Sequence, residues 1–171
     1  MKGKYPSVHK GHRDQRVAIF VDVQNMFYSA KKQFQAKLNY ARLLDEAIGG
    51  RRLLRAFAYI VQTPDIDQKN FIEMLTYNGF EVKSKELKVR PDGSTKGDWD
   101  MGIAIDAIGL ADKVEVIILI SGDGDFSSLA GMLRSRGVRV EVMSFPASTA
   151  DELVKAVDAF YPITQKLLIK D

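Results

Sequence analysis

The sequence contains no cysteine. That single absence removes disulfides, thiolate zinc sites and cysteine nucleophiles, and it fits a cytoplasmic setting. Its two histidines, His9 and His12, both lie close to the amino terminus. The remaining chain therefore cannot assemble a Ser-His-Asp triad or a histidine-based zinc site. No apolar run approaches the roughly 18 residues of a membrane-spanning helix, so no membrane partner is expected. The opening MKGKYPSVHKGHRDQR lacks the apolar centre of a secretory signal. There is no GxxxxGK[ST], and the first apolar run leads into DVQNMF rather than a glycine-rich dinucleotide loop.

What is present is ordinary in bulk: 171 residues, 46% hydrophobic and 27% charged, with a net charge of +3. That length buries a sizeable core without staples and predicts one domain. The excess charge is local. Of 25 Lys/Arg and 22 Asp/Glu, five basic residues and one acid fall within residues 1–16, leaving 20 against 21 elsewhere. Residues 1–15 are therefore expected to be a flexible basic arm ahead of a single domain over 16–171.

From Arg16 onward strand-like and helix-like runs alternate. VAIFVDV (17–23), LLRAFAYIV (53–61), VEVIILIS (114–121) and VRVEVMSF (138–145) read as strands. Phe27, Ala30, Phe34 and Leu38 recur at helical spacing, and Asn39 and Gly49 bracket a short helix. Pro64, Asp65 and Asp67 open a helix carrying Phe71 and Leu75, FEVKSKELKVR reads as edge strands, and RPDGST as a turn. A helix is predicted from about Trp99 to Ala111, another over FSSLAGMLRSRG, and TADE (149–152) has capping-box spacing before LVKAVDAFY. Such alternation predicts a three-layer α/β/α sandwich with a mostly parallel sheet, whose ligands bind beyond the carboxyl ends of the strands.

That rule concentrates attention on acids. Asp22 falls at the end of the first strand, and SGDGDF places Asp123 and Asp125 just past the central one. Asp100 opens a helix after KGDWD, where an anion is favoured by the helix dipole. Carboxylates gathered on one sheet edge repel unless a cation joins them. Oxygen ligands of this kind suit Mg²⁺ or Mn²⁺, which support phosphoryl-transfer chemistry. Gly122 and Gly124 are expected to permit close approach and unusual dihedrals, and Asn25 to orient a carboxylate or water.

FVDVQNMFYSAKK, STKGDWDMGIAIDAI and LISGDGDFSSLAGMLRSRGVRVEV occur here in an order that resembles the NYN domain, in its LabA-like branch, a division of the PIN-like nuclease superfamily. The resemblance runs from about Arg16 to Ile163. It implies a PIN-like fold and a metal-dependent ribonuclease site that hydrolyses RNA. In that reading Asp22, Asp100, Asp123 and Asp125 are metal ligands and, with Asn25, the catalytic set. Lys96, Asp106 and Ser121 are supporting or phosphate-contacting positions.

Each assignment has a plainer competitor. A strand-end aspartate is commonly a helix cap, and an acid in a first helical turn is favoured structurally. Asp98 reads as a cap. Asp106 shares a stripe with Gly102 and Gly109, which favours a packing role. Phe126 reads as core, whereas Trp99 is open between core and base-stacking roles. Lys83, Lys85, Lys88, Arg90 and Lys96 form either a nucleic-acid rim or a solvated edge interleaved with acids. The alternative function is an RNA- or protein-binding regulatory module with a metal-binding but weakly active site. A phosphatase of the haloacid-dehalogenase type ranks low, because Asp22 is followed by Val23 and Gln24. The sequence leaves homo-oligomerisation and a regulatory protein partner open.

Overall fold

A computed structural model describes residues 11–169, apart from the side chains of Thr95 and Lys96. The first ten residues of the expected basic arm, and the side chain of the candidate Lys96, thus lie outside the described residues. Six strands form the central sheet: β1 (Arg16–Asp22), β2 (Arg52–Gln62), β3 (Glu81–Glu86), β4 (Val116–Ile120), β5 (Arg139–Ser144) and β6 (Ala159–Pro162). Six α-helices accompany them: α1 (Val23–Phe34), α2 (Tyr40–Ile48), α3 (Lys69–Tyr77), α4 (Asp100–Leu110), α5 (Ser127–Ser135) and α6 (Asp151–Ala156).

The sheet order is β3-β2-β1-β4-β5-β6, and all its pairings are parallel. β1 and β4 lie side by side in its middle, in register from Val17 opposite Val116 to Val21 opposite Ile120. All ten of those residues are buried. Both strands are continuous apolar runs because helices cover both faces. Alternate residues divide between two cores. Val17, Ile19, Val21 and Ile118 meet Met26, Leu43 and Leu75 from α1–α3. Ala18, Phe20, Ile117 and Leu119 meet Ile103, Leu133 and Leu153 from α4–α6. Each fully buried leucine or isoleucine contributes about 1.5–3 kcal/mol, so this two-sided alternation fixes the register of the layers.

Local chemistry sets several boundaries as expected. The Asn39 side chain accepts a hydrogen bond from the Arg42 amide at 3.1 Å, and Gly49 ends α2 at a left-handed φ of 58°. Elsewhere the expectation fails. Leu38 leaves the helical stripe, because Gln35 turns left-handed and Lys37–Leu38 pairs instead with Leu168–Ile169. Phe27 is 47% exposed, since the buried face of α1 is Val23, Met26, Ser29 and Ala30. No capping box forms at TADE: the Thr149 hydroxyl donates to the Phe145 carbonyl, and α6 is only six residues long. The AFY that followed it in sequence is part of β6.

One ion pair is fully interior. The Arg51 guanidinium donates twice to the Glu141 carboxylate, at 2.9 Å each, and both side chains are 1% exposed. Arg51 also donates to the Ala47 and Ile48 carbonyls at the end of α2, and Arg139 adds a further bond to Glu141.

Candidate metal centre

The direction of chain connection reverses between β1 and β4, and it is beyond the carboxyl ends of the strands at such a point that open α/β sheets bind ligands. Asp22 terminates β1 at that point and caps α1: its Oδ1 accepts the Asn25 amide at 3.2 Å. The capping role and the site position therefore belong to one residue. Its Oδ2 accepts the Ser121 hydroxyl at 3.1 Å, and Ser121 in turn accepts the Asp123 amide at 3.2 Å. Asn25 reaches across through Oδ1 to the Gly122 amide at 3.0 Å. The end of β1 and the loop after β4 are thus stitched together by three side chains.

The loop itself folds into a tight turn. Asp123 Oδ1 accepts the Asp125 amide at 2.9 Å, and the Ser127 hydroxyl donates to the Gly124 carbonyl at 2.6 Å. Phe126, 3% exposed, anchors it in the core as expected. Neither Gly122 nor Gly124 has a positive φ, so the expectation of unusual dihedrals is corrected. Both are needed for close approach instead. A Cβ on Gly122 would strike the Ser148 carbonyl oxygen, and one on Gly124 would strike the Glu152 carboxylate. Glu152, from α6, is an acid beside the loop that sequence spacing did not single out.

From the other side α4 brings Asp100. Oxygens of Asp100, Asp123 and Asp125 all lie within 4.8 Å of one another. Opposite ligands of an octahedral Mg²⁺ at about 2.1 Å stand about 4.2 Å apart, so small rotations would let one such cation touch all three. Asp22 stands outside that group, its two oxygens engaged by Asn25 and Ser121. Among the described residues, none of the four aspartates forms an ion pair with lysine or arginine.

The electrostatics register that lack. Burial first, then the charges of Asp123, Asp98, Asp22 and Asp125, push the Asp100 carboxyl up to about 6. Burial also raises Asp22, against the hydrogen bonds from Asn25 and Ser121 and together with Asp123 and Asp98. The leading charges that act on these two are all negative, and a cation added there would oppose them.

The remaining candidates fall outside this group. Asp106 accepts the Tyr59 hydroxyl at 2.8 Å and the Lys83 ammonium at 2.7 Å, tying α4 to the sheet. Asp98 is not the cap of α4, whose N-cap is Trp99 without a side-chain bond; its carboxylate accepts the Asp100 amide at 3.1 Å in a turn just ahead of the helix. Trp99 donates to the Ile60 carbonyl at 2.9 Å and carries the Lys85 ammonium 4.4 Å from its ring centroid. It is a packed residue with an occupied face. Lys83 and Lys85 are spent on these contacts, and Glu81 pairs with Arg55. Of the five residues read as either a nucleic-acid rim or a solvated edge, Lys83 and Lys85 are thus engaged, Lys88 and Arg90 form no ion pair among the described residues, and the Lys96 side chain lies outside them.

A doubly wound parallel sheet with aspartates at its crossing point is the three-layer PIN-like fold. The chain matches the NYN domain over residues 16–164 and belongs to that family, in its LabA-like branch. It is 32% identical over 159 residues to the "Low amplitude and bright protein LabA" of Synechococcus elongatus, covering 86% of this chain and 83% of the relative. A crystal structure of a protein of unknown function from Vibrio parahaemolyticus superposes with a TM-score of 0.85 at 36% identity. That match covers 94% of this chain and all of the other. The family sits within a nuclease superfamily. No helix of the described residues is long and apolar enough to cross a membrane.

Proposed function

We propose that the protein is a Mg²⁺- or Mn²⁺-dependent ribonuclease that hydrolyses RNA phosphodiester bonds. The observation that carries this reading is the mutual approach of Asp100, Asp123 and Asp125 within 4.8 Å, with no cationic side chain to neutralise them among the described residues. A divalent cation held there supplies Lewis-acid polarisation of the phosphodiester and a water of lowered pKa. Asp100, Asp123 and Asp125 would hold it, with the Asp22 carboxylate adding negative charge from the neighbouring strand β1. Asn25 commits its Oδ1 to the Gly122 amide, which leaves its Nδ2 hydrogens for a phosphate oxygen or the attacking water. Ser121 positions Asp22 and the loop rather than touching substrate.

The test is cleavage of a labelled single-stranded RNA with Mn²⁺, Mg²⁺ or EDTA, by the protein and by its Asp123→Asn variant. Metal-dependent cleavage that disappears in the variant is expected. Equal cleavage by both would assign the activity to a contaminant or another site. The engagement of Lys83 by Asp106 and of Lys85 by Trp99 supports a second reading, an RNA- or protein-binding regulatory module of low turnover, and a folded protein that binds Mn²⁺ without cleaving RNA would favour it.

A further inference from the structure

α1 leads directly out of the aspartate group, and its charge is one-sided. From Val23 to Leu44 there is no acid, while Lys31, Lys32, Lys37 and Arg42 all occur there. On its outer surface two adjacent aromatics face solvent: Phe27, and Tyr28 at 61% exposure. Burying either ring would gain about 1.5–3 kcal/mol, yet the core of the protein takes neither. The rings meet edge to face, with centroids 5.7 Å apart and planes at 76°. Lys31 stands 5.9 Å from the Phe27 centroid. Phe27 is thereby flanked by Tyr28 and Lys31, and the ring with free area is that of Tyr28.

Helical phase links this ring to the site. Asn25, Tyr28 and Lys32 recur at i, i+3 and i+7, which places them along one face. Asn25 is already fastened to the loop that carries Asp123. Tyr28 follows Asp22 by about 9 Å along the helix axis, a separation on the scale of a single nucleotide. A flat exposed ring with ammonium groups beside it is what an unpaired base and its phosphates require, whereas a duplex keeps its bases stacked inside.

We propose that the outer face of α1 is a stacking subsite for an unpaired base of single-stranded RNA, with Tyr28 as platform, Phe27 as its support and Lys31 and Lys32 at the adjoining phosphates. This rests on the reading of the aspartate group as a ribonuclease site, and it makes the substrate single-stranded near the scissile bond. Tyr28 is a binding residue in this scheme and takes no part in the chemistry.

The test uses Asp123→Asn protein, so that no turnover intervenes, and a short unstructured fluorescent RNA read by anisotropy. In that background Tyr28→Ala should weaken binding about 5- to 150-fold, the range of one base stack. Tyr28→Trp should restore it, and joint replacement of Lys31 and Lys32 by alanine should lower the salt dependence. Binding by Tyr28→Ala within twofold of its parent would overturn the subsite, as would absence of RNA binding by the parent. Unchanged RNA binding with a shift from dimer to monomer would also overturn it and assign the aromatic pair to a contact between copies. Cleavage is followed separately in protein with Asp123 intact. RNA binding that depends on Tyr28, without cleavage in any metal, keeps the subsite and removes the nuclease reading. Cleavage with KM unaffected by Tyr28→Ala removes the subsite alone.

Discussion

The protein gathers charge in two settings, one in the interior and one at the open carboxyl edge of the sheet where Asp125 is exposed, and treats them in opposite ways. Beneath α2, Arg51 and Glu141 are both 1% exposed, bidentate and bonded further to two carbonyls and Arg139. At the crossing point of the sheet, Asp22, Asp100, Asp123 and Asp125 gather with no cation among the described residues. The first setting is closed by its own counter-charge, and Nε and Nη2 of Arg51 find further acceptors in two carbonyls. The second has no counter-charge among the described residues. A chain able to close the one has no general inability to close the other. That contrast is what the proposed cation site rests on.

The largest effect should come from breaking the closed pair. Glu141→Leu strands the Arg51 guanidinium in the core and should cost about 3–5 kcal/mol in urea unfolding. Asp123→Asn, measured the same way at pH 7 without divalent cation, should cost nothing or stabilise slightly, because it relieves like-charge repulsion. Loss of stability comparable to that of Glu141→Leu would show that the acidic loop is structural.

A middle effect concerns pH. The folded carboxyl of Asp100 titrates near 6, above its ordinary 3.8. Between those values the folded state holds more protons than the unfolded one, so stability falls as pH rises through this window. Without metal, the protein should melt higher at pH 5 than at pH 7. Saturating Mg²⁺ or Mn²⁺ should raise the pH 7 value and erase the difference. Glu115 does not confuse the comparison, since Arg16 holds it down at about 2 and its contribution is lost only under stronger acid. A melting temperature lower at pH 5, or indifferent to metal, would contradict the site. The smallest effect belongs to Lys83→Met. Its pair with Asp106 is partly exposed, so less than about 1 kcal/mol and no change in cleavage are expected.

The two settings also differ in what the sequence discloses. Asp22, Asp100, Asp123 and Asp125 each sit at an element boundary, where apolar runs and glycines mark the strand ends. Their convergence follows from parallel connection alone. Glu141 sits inside VRVEVMS, where alternation suggests a solvent-facing acid, and Arg51 is 90 residues away with no local signal to join them. The same limit explains Phe27 and α6. Periodicity groups apolar residues on a face without saying which face the fold covers. A capping-box spacing at 149–152 cannot foresee that Thr149 will bond backward to Phe145. Asn39 and Gly49 were legible because their chemistry acts on neighbours a few residues away.

The bond between Ser121 and Asp22 spans 99 positions of chain. At about 5–20 residues per second of synthesis, the amino-terminal half of the sheet waits roughly 5–20 s on the ribosome before its partner strand is made. Throughout that interval Asp22 exists without Asp123 or Asp125, and for most of it without Asp100, so chains that end earlier hold no assembled acidic group. Interleaving the acidic group across the two halves of the sheet means that it assembles only after β4 and the loop that follows it have been made, so under the proposed ribonuclease reading shorter chains carry no cleavage site.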